Sequence, residues 1–343
     1  MRHMVSNFIS LGGKHCITNS LRQIFQYSGY PLSEEMIFGI ASGLGFAYIN
    51  LSNSPMISGR SKPFEFEQKL AKRLNVIIKC KRPKEYRIAF AKAKKLLKAD
   101  EPVLIYADMA YLEYLNLEKD SHFGGHAIVL AGYDDEKEIF YVSDRDNGDC
   151  SIRTPKGDIN RDFHTVRYAD MEKARSSHYR PFPANCKYLE IDMGGYRDIC
   201  EDVIMEAIDE TCRKMLYPEA KLLGLNGIKK FSDEIRKWKA FDEAKLKRAG
   251  ITNYFQISRD GGTGGGIFRN MYSRFLIEAA QVSGRKEYAE IGKEFVNISI
   301  KWDLIAEKLW NLGKTGGTAL LPEISDRIEE VYKGEKKLFT ELL

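Results

Sequence analysis

The spacing of apolar residues changes at Gly194-Gly195, and this change restricts the possible folds of the 343-residue chain more than any other feature. Before these glycines, short apolar and β-branched runs alternate with segments of helical spacing, which predicts an α+β domain. After them, apolar residues recur almost only at helical spacing. We therefore expect an α+β domain over residues 1–193 and a mostly α-helical domain over residues 194–343.

The expected elements follow from the same spacing and from glycine, proline and serine boundaries. In the first domain, helices are expected at 16–27, from 33 onward, and at 64–74, 87–99 and 168–177. Strands are expected there at 46–50, 76–80, 102–107, 126–133, 139–144 and 188–192. In the second domain, helices are expected at 199–216, 227–238, 268–282, 287–312 and 324–342.

Cys16 is the candidate nucleophile. It follows a turn at Gly12-Gly13 and stands where the first helix begins. A helix N-terminus presents backbone N–H groups and the positive end of the dipole, and both favour a thiolate over a thiol. The alternative is a cysteine that serves only as a small packing residue.

His126 and Asp144 complete the expected catalytic set. His126 begins one strand and Asp144 ends the next, and folding the hairpin about Asp135 places them opposite each other, with Ile128 opposite Val142. Opposed residues have Cβ atoms about 5 Å apart, so the carboxylate can orient the imidazole that accepts the thiol proton. A slip of one residue would put the pair on opposite faces. The chain order of nucleophile, histidine and carboxylate suggests a papain-like cysteine enzyme.

Asp146 and His122 offer two other arrangements for this site. Asp146, in the turn after the second strand, is the alternative carboxylate. His122 lies four residues before His126, but Gly124 and Gly125 separate them, so a zinc-binding helix is not expected.

Composition limits the classes of partner. The net charge of +5 is too small to imply nucleic acid by itself, and no apolar run is long enough to span a bilayer or to form a cleaved leader. The six cysteines form neither a CxxC pair nor a dense framework, which argues against zinc knuckles and a disulfide scaffold. We expect a soluble, cytoplasmic protein without a metal or a resident cofactor.

A glycine-rich loop precedes a helix in the second domain. Five glycines lie between Asp260 and Ile267. Such a loop can hold a phosphate, but the lysine and the strand–loop–helix setting of a P-loop are absent, which favours close packing or a wall of the site. The candidates for contacts with substrate are Ser10, Gly264, Gly265, Gly266 and Arg269.

Residues 79–98 are rich in lysine and arginine, with Glu85 as their one acid. A solvated helix face is the simpler interpretation, and a docking surface for an acidic partner is the alternative.

Several motifs together resemble the butirosin biosynthesis protein H family, whose N-terminal domain precedes a helical domain of unknown function. They lie at residues 15–22, 32–36, 43–46, 125–129, 142–145, 174–177, 181–183, 262–266 and 268–272. The resemblance implies a papain-like fold and transfer of an acyl group from an acyl carrier protein thioester to an amine of an aminoglycoside. It also implies that Cys16, His126 and Asp144 are the nucleophile, the base and the orienting acid, and that phosphopantetheine enters only as the arm of the donor.

One departure from papain-like proteases concerns the oxyanion hole. Many such enzymes carry a glutamine shortly before the cysteine, whereas this chain has residues 9–13, Ile-Ser-Leu-Gly-Gly. The Cys16 N–H is the expected first donor, and Ser10 or Asn7 the second. We expect a cysteine acyltransferase that acts on a small-molecule amine in secondary metabolism. The alternatives are a cysteine hydrolase (amidase, peptidase or thioesterase) and a non-catalytic binding protein.

Overall fold

A computed structural model describes residues 1–50, 54–118, 120–144 and 163–343. Asp146, the alternative carboxylate, lies outside the described residues. The chain divides into two compact units. The first contains residues 1–34 and 75–196, and the second contains residues 35–74 and 197–343. Among the described residues, no helix combines the length and the apolar character needed to cross a bilayer.

Strands and helices both occur, as the spacing predicted. Within the described ranges the strands are β1 (Arg2–Met4), β2 (Leu44–Asn50), β3 (Pro55–Arg60), β4 (Ile77–Lys81), β5 (Val103–Ala107), β6 (His126–Asp134), β7 (Ile139–Ser143), β8 (His164–Arg167) and β9 (Tyr188–Asp192). The helices are α1 (Cys16–Tyr27), α2 (Glu34–Ile40), α3 (Glu65–Leu74), α4 (Tyr86–Lys98), α5 (Tyr168–Ser176), α6 (Glu201–Leu216), α7 (Gly224–Ile235), α8 (Glu243–Ile257), α9 (Arg269–Ser283), α10 (Lys286–Thr315) and α11 (Leu321–Leu342).

The first unit is built on one antiparallel sheet. Its strands follow the order β4-β9-β5-β6-β7-β8, and β1 pairs with the far end of β6. All nine residues of β6 are buried, and both α1 and α4 pack against this strand. Its apolar run, which lacks a polar alternate position, is the pattern of a strand buried on both faces.

The β6–β7 hairpin differs from the expected register. The turn has four residues, because Asp134 pairs with Ile139, and its Oδ1 accepts the backbone N–H of Glu136 at 3.0 Å. A bulge then shifts the pairing between Leu130 and Gly132. The predicted pairing of Ile128 with Val142 is therefore wrong.

The corrected register still brings His126 and Asp144 together. Leu130 pairs with Val142 and Val129 with Ser143, so Asp144 reaches the level of Ile128. His126 lies two residues before Ile128, at the start of β6, and its side chain is on the same face of the strand. The two side chains are thus diagonal rather than directly opposed neighbours, within reach of each other because an imidazole is long.

The second unit is mostly helical but includes a hairpin from the first half of the chain. The β2–β3 pair packs on α7 and α8, and the Ile57 N–H donates to Asn253 Oδ1 at 2.9 Å. Residues 35–74 therefore cluster with the C-terminal helices, which differs from the expected division at residue 194. The sequence spacing also missed β1, β3, β8 and α8.

A buried ion pair joins three helices of this unit. Arg269 Nε and Nη2 donate to the two carboxylate oxygens of Glu335 at 2.8 and 2.9 Å, and Trp302 Nε1 donates to the same carboxylate at 2.8 Å. Arg269 Nη1 donates to the carbonyl of Gly45 at 3.1 Å. Arg269 and Glu335 are both fully buried, so each charge depends on the other.

Replacing Glu335 with glutamine should destabilise the second unit strongly. The buried guanidinium would lose its counter-ion, and breaking a buried pair costs about 3–5 kcal/mol. All three tryptophans, Trp238, Trp302 and Trp310, lie in this unit, so urea unfolding followed by their fluorescence measures the loss.

Asp209→Asn is the matched control, because it neutralises a carboxylate in the exposed pair with Arg213. It should change the unfolding midpoint little. Equal midpoints for Glu335→Gln and Asp209→Asn would contradict a structural role for the buried pair.

Candidate active site

Cys16 is the first residue of α1, and a carboxylate from another segment holds the turn before it. The N-cap residue, His15, makes no side-chain cap. Instead Glu34 accepts the backbone N–H of Lys14 at 2.8 Å and of His15 at 3.1 Å, and the Thr18 hydroxyl donates to it at 2.9 Å. The backbone N–H groups of the turn that leads into the helix are thereby satisfied, and this turn positions Cys16.

Opposing effects act on the ionisation of Glu34. Burial, the largest effect, raises the pKa of Glu34, although the hydrogen bonds from Lys14, His15 and Thr18 and the charge of Arg22 act in the opposite direction. The three hydrogen bonds that it accepts hold its carboxyl group beside the turn before α1.

His126 and Asp144 form a buried hydrogen bond. His126 Nε2 lies 2.7 Å from Asp144 Oδ2, and the side chains are 2% and 0% exposed. Because Nε2 faces the carboxylate, Nδ1 is the ring nitrogen that can serve the thiol of Cys16, with which His126 also forms a side-chain hydrogen bond. The structure thus brings together the three residues that the sequence singled out.

The environment favours a protonated imidazole. Burial alone would lower the pKa of His126, but the charge and hydrogen bond of Asp144, and then those of Cys16, outweigh it and raise the pKa from 6.5 to about 9. At neutral pH this ring is an imidazolium, the partner that stabilises a thiolate.

Tyr114 is a fourth member of the arrangement. Its hydroxyl donates to Asp144 Oδ2 at 2.8 Å, the oxygen that also faces His126. Its ring stacks on His164, with centroids 4.1 Å apart and planes 9° apart. Tyr114 was not predicted from the sequence, because it lies in a short 3-10 turn (Glu113–Leu115) without apolar periodicity.

Side chains of α1 hold the segment before Cys16. The Leu11 N–H donates to Gln23 Oε1 at 3.0 Å, and its carbonyl accepts from Asn19 Nδ2 at 2.9 Å. Gln23 Oε1 also accepts the Ser143 hydroxyl at 2.5 Å, and Ser10 Oγ lies 2.6 Å from Ser143 Oγ. The hydroxyl of Ser10 therefore links this segment to the strand that precedes Asp144. Amides four apart on a buried helix face are the sequence signal for such a clamp.

A second buried carboxylate fixes the loop before His126. Asp108 is fully buried; its Oδ1 accepts the Phe123 N–H at 2.9 Å, and its Oδ2 accepts the Ser177 hydroxyl at 2.5 Å and faces His122 Nδ1 at 2.9 Å. His122 is thus tied to Asp108. In the part of the chain that the structure describes, no cluster of His, Cys, Asp or Glu side chains is arranged to hold a metal ion.

The glycine-loop candidates are engaged within the second unit. The Gly266 N–H donates to Asp303 Oδ1 at 2.8 Å, the Gly265 N–H faces the hydroxyl of Thr263 at 3.1 Å, and a Cβ at Gly266 would lie 2.3 Å from Ser299 Oγ. Gly264 contributes its carbonyl to Asn270. Arg269 is committed to the buried ion pair. These contacts agree with close packing, one of the two interpretations favoured from the sequence, and the role of these residues as substrate contacts stays a prediction.

Comparison with known families gives two matches. The family described as butirosin biosynthesis protein H, N-terminal, matches residues 15–145, a stretch that contains Cys16, His126 and Asp144. The family described as a domain of unknown function (DUF4872) matches residues 169–342. No curated protein matches the chain.

Removing the Tyr114 hydroxyl should raise the pKa of His126 further. Tyr114→Phe keeps the ring against His164 but removes a hydrogen bond that stabilises the negative charge of Asp144. The carboxylate should then interact more strongly with the His126 imidazolium. We expect an increase of roughly half a pH unit or more above the value of about 9, measured by NMR titration of the histidine ring assigned through His126→Gln.

Tyr111→Phe is the control for this titration. It removes a hydroxyl from the same segment, on a ring whose neighbour is His122. An identical His126 titration in Tyr114→Phe, Tyr111→Phe and the unmodified protein would contradict the coupling through Asp144.

Proposed function

Because the chain belongs to the butirosin biosynthesis protein H-like family, with a C-terminal domain of unknown function, we propose that it is a papain-like cysteine acyltransferase. The reaction moves an acyl group from a thioester, carried by an acyl carrier protein, to a small-molecule amine. The proposal rests mainly on one observation, the buried His126–Asp144 hydrogen bond. This bond raises the pKa of the His126 imidazole, which is also hydrogen-bonded to Cys16.

In the first half-reaction, the Cys16 thiolate attacks the carbonyl carbon of the thioester. A tetrahedral intermediate forms, and its C–S bond to the donor breaks. The departing thiolate takes the proton of the His126 imidazolium, which leaves an acyl-enzyme, a neutral imidazole and the free donor thiol.

In the second half-reaction, the amine attacks the acyl-enzyme and the neutral His126 accepts its proton. Collapse of the intermediate breaks the bond to Cys16 and restores the thiolate–imidazolium pair. The net change is thioester plus amine to amide plus thiol, without oxidation or reduction. Asp144 holds the ring orientation and stabilises the imidazolium in both halves.

The position of Cys16 also suggests a donor for the oxyanion. Its backbone N–H stands at the start of α1, where the helix dipole favours the negative charge that develops on the carbonyl oxygen. The Glu34 cap and the Leu11 clamp keep this backbone in place during the reaction. Ser10, one of the two candidates for the second donor, forms a hydrogen bond with Ser143.

Trapping the acyl-enzyme tests the proposal. Intact-protein mass spectrometry after incubation with a panel of acyl pantetheine thioesters should show one added acyl group. Cys16→Ala should abolish loading and turnover yet leave folding nearly unchanged, because the half-buried Cys16 contributes little packing. Cys200→Ala, at an exposed cysteine, is the control and should load normally. Loading that survives in Cys16→Ala would contradict covalent catalysis at this residue.

The fate of the trapped acyl group separates transfer from hydrolysis. Added amines should discharge the acyl-enzyme as an amide faster than buffer discharges it as the acid. Asp144→Asn should slow loading by less than loss of Cys16, because it removes an orienting charge and not the nucleophile. Discharge to the acid at the same rate with and without amines would support a thioesterase instead.

A further inference from the structure

One corner of the first unit is basic and lies at the same end of the sheet as His126. Lys81, the last residue of β4, pairs with Tyr188, which pairs with Ile105, which pairs with Ile128. Three strand spacings of about 4.8 Å place Lys81 about 14 Å from Ile128. His126 lies two residues from Ile128, toward the end of the sheet at which β4 finishes.

The residues that follow β4 carry positive charge into solvent. Arg82, Lys84 and Arg87 are exposed, and so is Ile88, at 50%. In the part of the chain that the structure describes, neither Lys84 nor Arg87 forms an ion pair. We call these four residues the basic corner. Glu85 is the one acid within this stretch, so the net charge of the corner stays positive.

The lysines of α4 either form ion pairs or lie toward the far end of the helix. Lys92 lies 3.4 Å from Glu190, and Lys94 pairs with Asp135 and lies 4.5 Å from the centroid of the Tyr133 ring. Asp135 follows the end of β6 that is remote from His126. Since α4 is 13 residues long, its two ends lie about 20 Å apart. Only the beginning of α4 is near the candidate site.

We infer that the basic corner is the docking surface for the acidic acyl carrier protein that delivers the thioester to Cys16. The inference rests on the proposed function and adds the place of contact. Charge complementarity favours an acidic surface, and exposed Ile88 supplies an apolar contact beside it. The three strand spacings between β4 and β6, about 14 Å, are a distance that a reactive group at the end of a long flexible arm can cross, and a pantetheine thioester provides such an arm.

Reversing the charge of the basic corner should slow delivery from a carrier but not from a free thioester. Surface charges of this kind steer association, and their effect declines with salt. For Lys84→Glu/Arg87→Glu we expect loading of Cys16 from the carrier to fall about tenfold or more at low ionic strength. The difference should shrink at high salt, and loading from free acyl pantetheine should stay unchanged.

The matched control reverses two charges at the other end of the same helix. Lys95→Glu/Lys98→Glu should load from the carrier as the unmodified protein does, and Lys84→Ala/Arg87→Ala should give an intermediate loss. Circular dichroism checks that each variant is folded. The donors are an acidic acyl carrier protein and free pantetheine, both charged with an acyl group that loads in the trapping experiment.

The outcomes separate the two claims. Suppose that free acyl pantetheine loads Cys16. If Lys84→Glu/Arg87→Glu then slows loading from both donors equally, slows loading from neither, or loads from the carrier as Lys95→Glu/Lys98→Glu does, the proposed docking surface is wrong and the acyltransferase proposal stands. If neither donor loads Cys16 in the unmodified protein, the proposed function fails and the docking surface fails with it.

Discussion

The hydrogen bond between His126 and Asp144 depends on one extra residue in β6. The four-residue turn alone would shift the pairing by an odd number of residues relative to a hairpin folded about Asp135, and Asp144 would then lie on the face away from His126. The bulge between Leu130 and Gly132 shifts the pairing by one more residue, which returns Asp144 to the same face as His126. The same strand also pairs with β1. A glycine at position 132 allows this close approach, because a Cβ there would lie 2.5 Å from the His3 carbonyl oxygen. The turn length and the bulge of this hairpin therefore determine whether His126 and Asp144 can form their hydrogen bond.

Buried polar side chains connect the segments that carry Cys16, His126 and Asp144. Glu34 fixes the turn before Cys16, and Gln23 joins the residues before that turn to Ser143, next to Asp144. Asp108 fixes the loop before His126. Each of these side chains is at most 2% exposed, so each would be costly to bury without its partners. The requirement to satisfy them holds Cys16, His126 and Asp144, which come from distant parts of the chain, in one geometry.

Periodicity predicted the regular part of this structure. The bounds of α1 and β9 agree with the sequence expectation. The predicted pairing of β6 with β7 was wrong by two residues at Asp144, but an even shift leaves a side chain on the same face. The closeness of His126 to Asp144 was therefore predicted in spite of the wrong register. Periodicity does not encode turn length or a bulge. It could not find Tyr114, whose contact depends on a 3-10 turn, or the association of β2 and β3 with later helices, which depends on packing between residues far apart in sequence.

The central claim is that His126 and Asp144 keep Cys16 as a thiolate at neutral pH. The most direct measurement is the ultraviolet absorbance of the thiolate, taken as the difference between the unmodified protein and Cys16→Ser across a pH titration. We expect one thiolate per chain already at neutral pH, and we expect His126→Gln to shift its appearance to the ordinary thiol range of about pH 8.5. A thiolate that appears only at about pH 8.5 in the unmodified protein as well would contradict the claim.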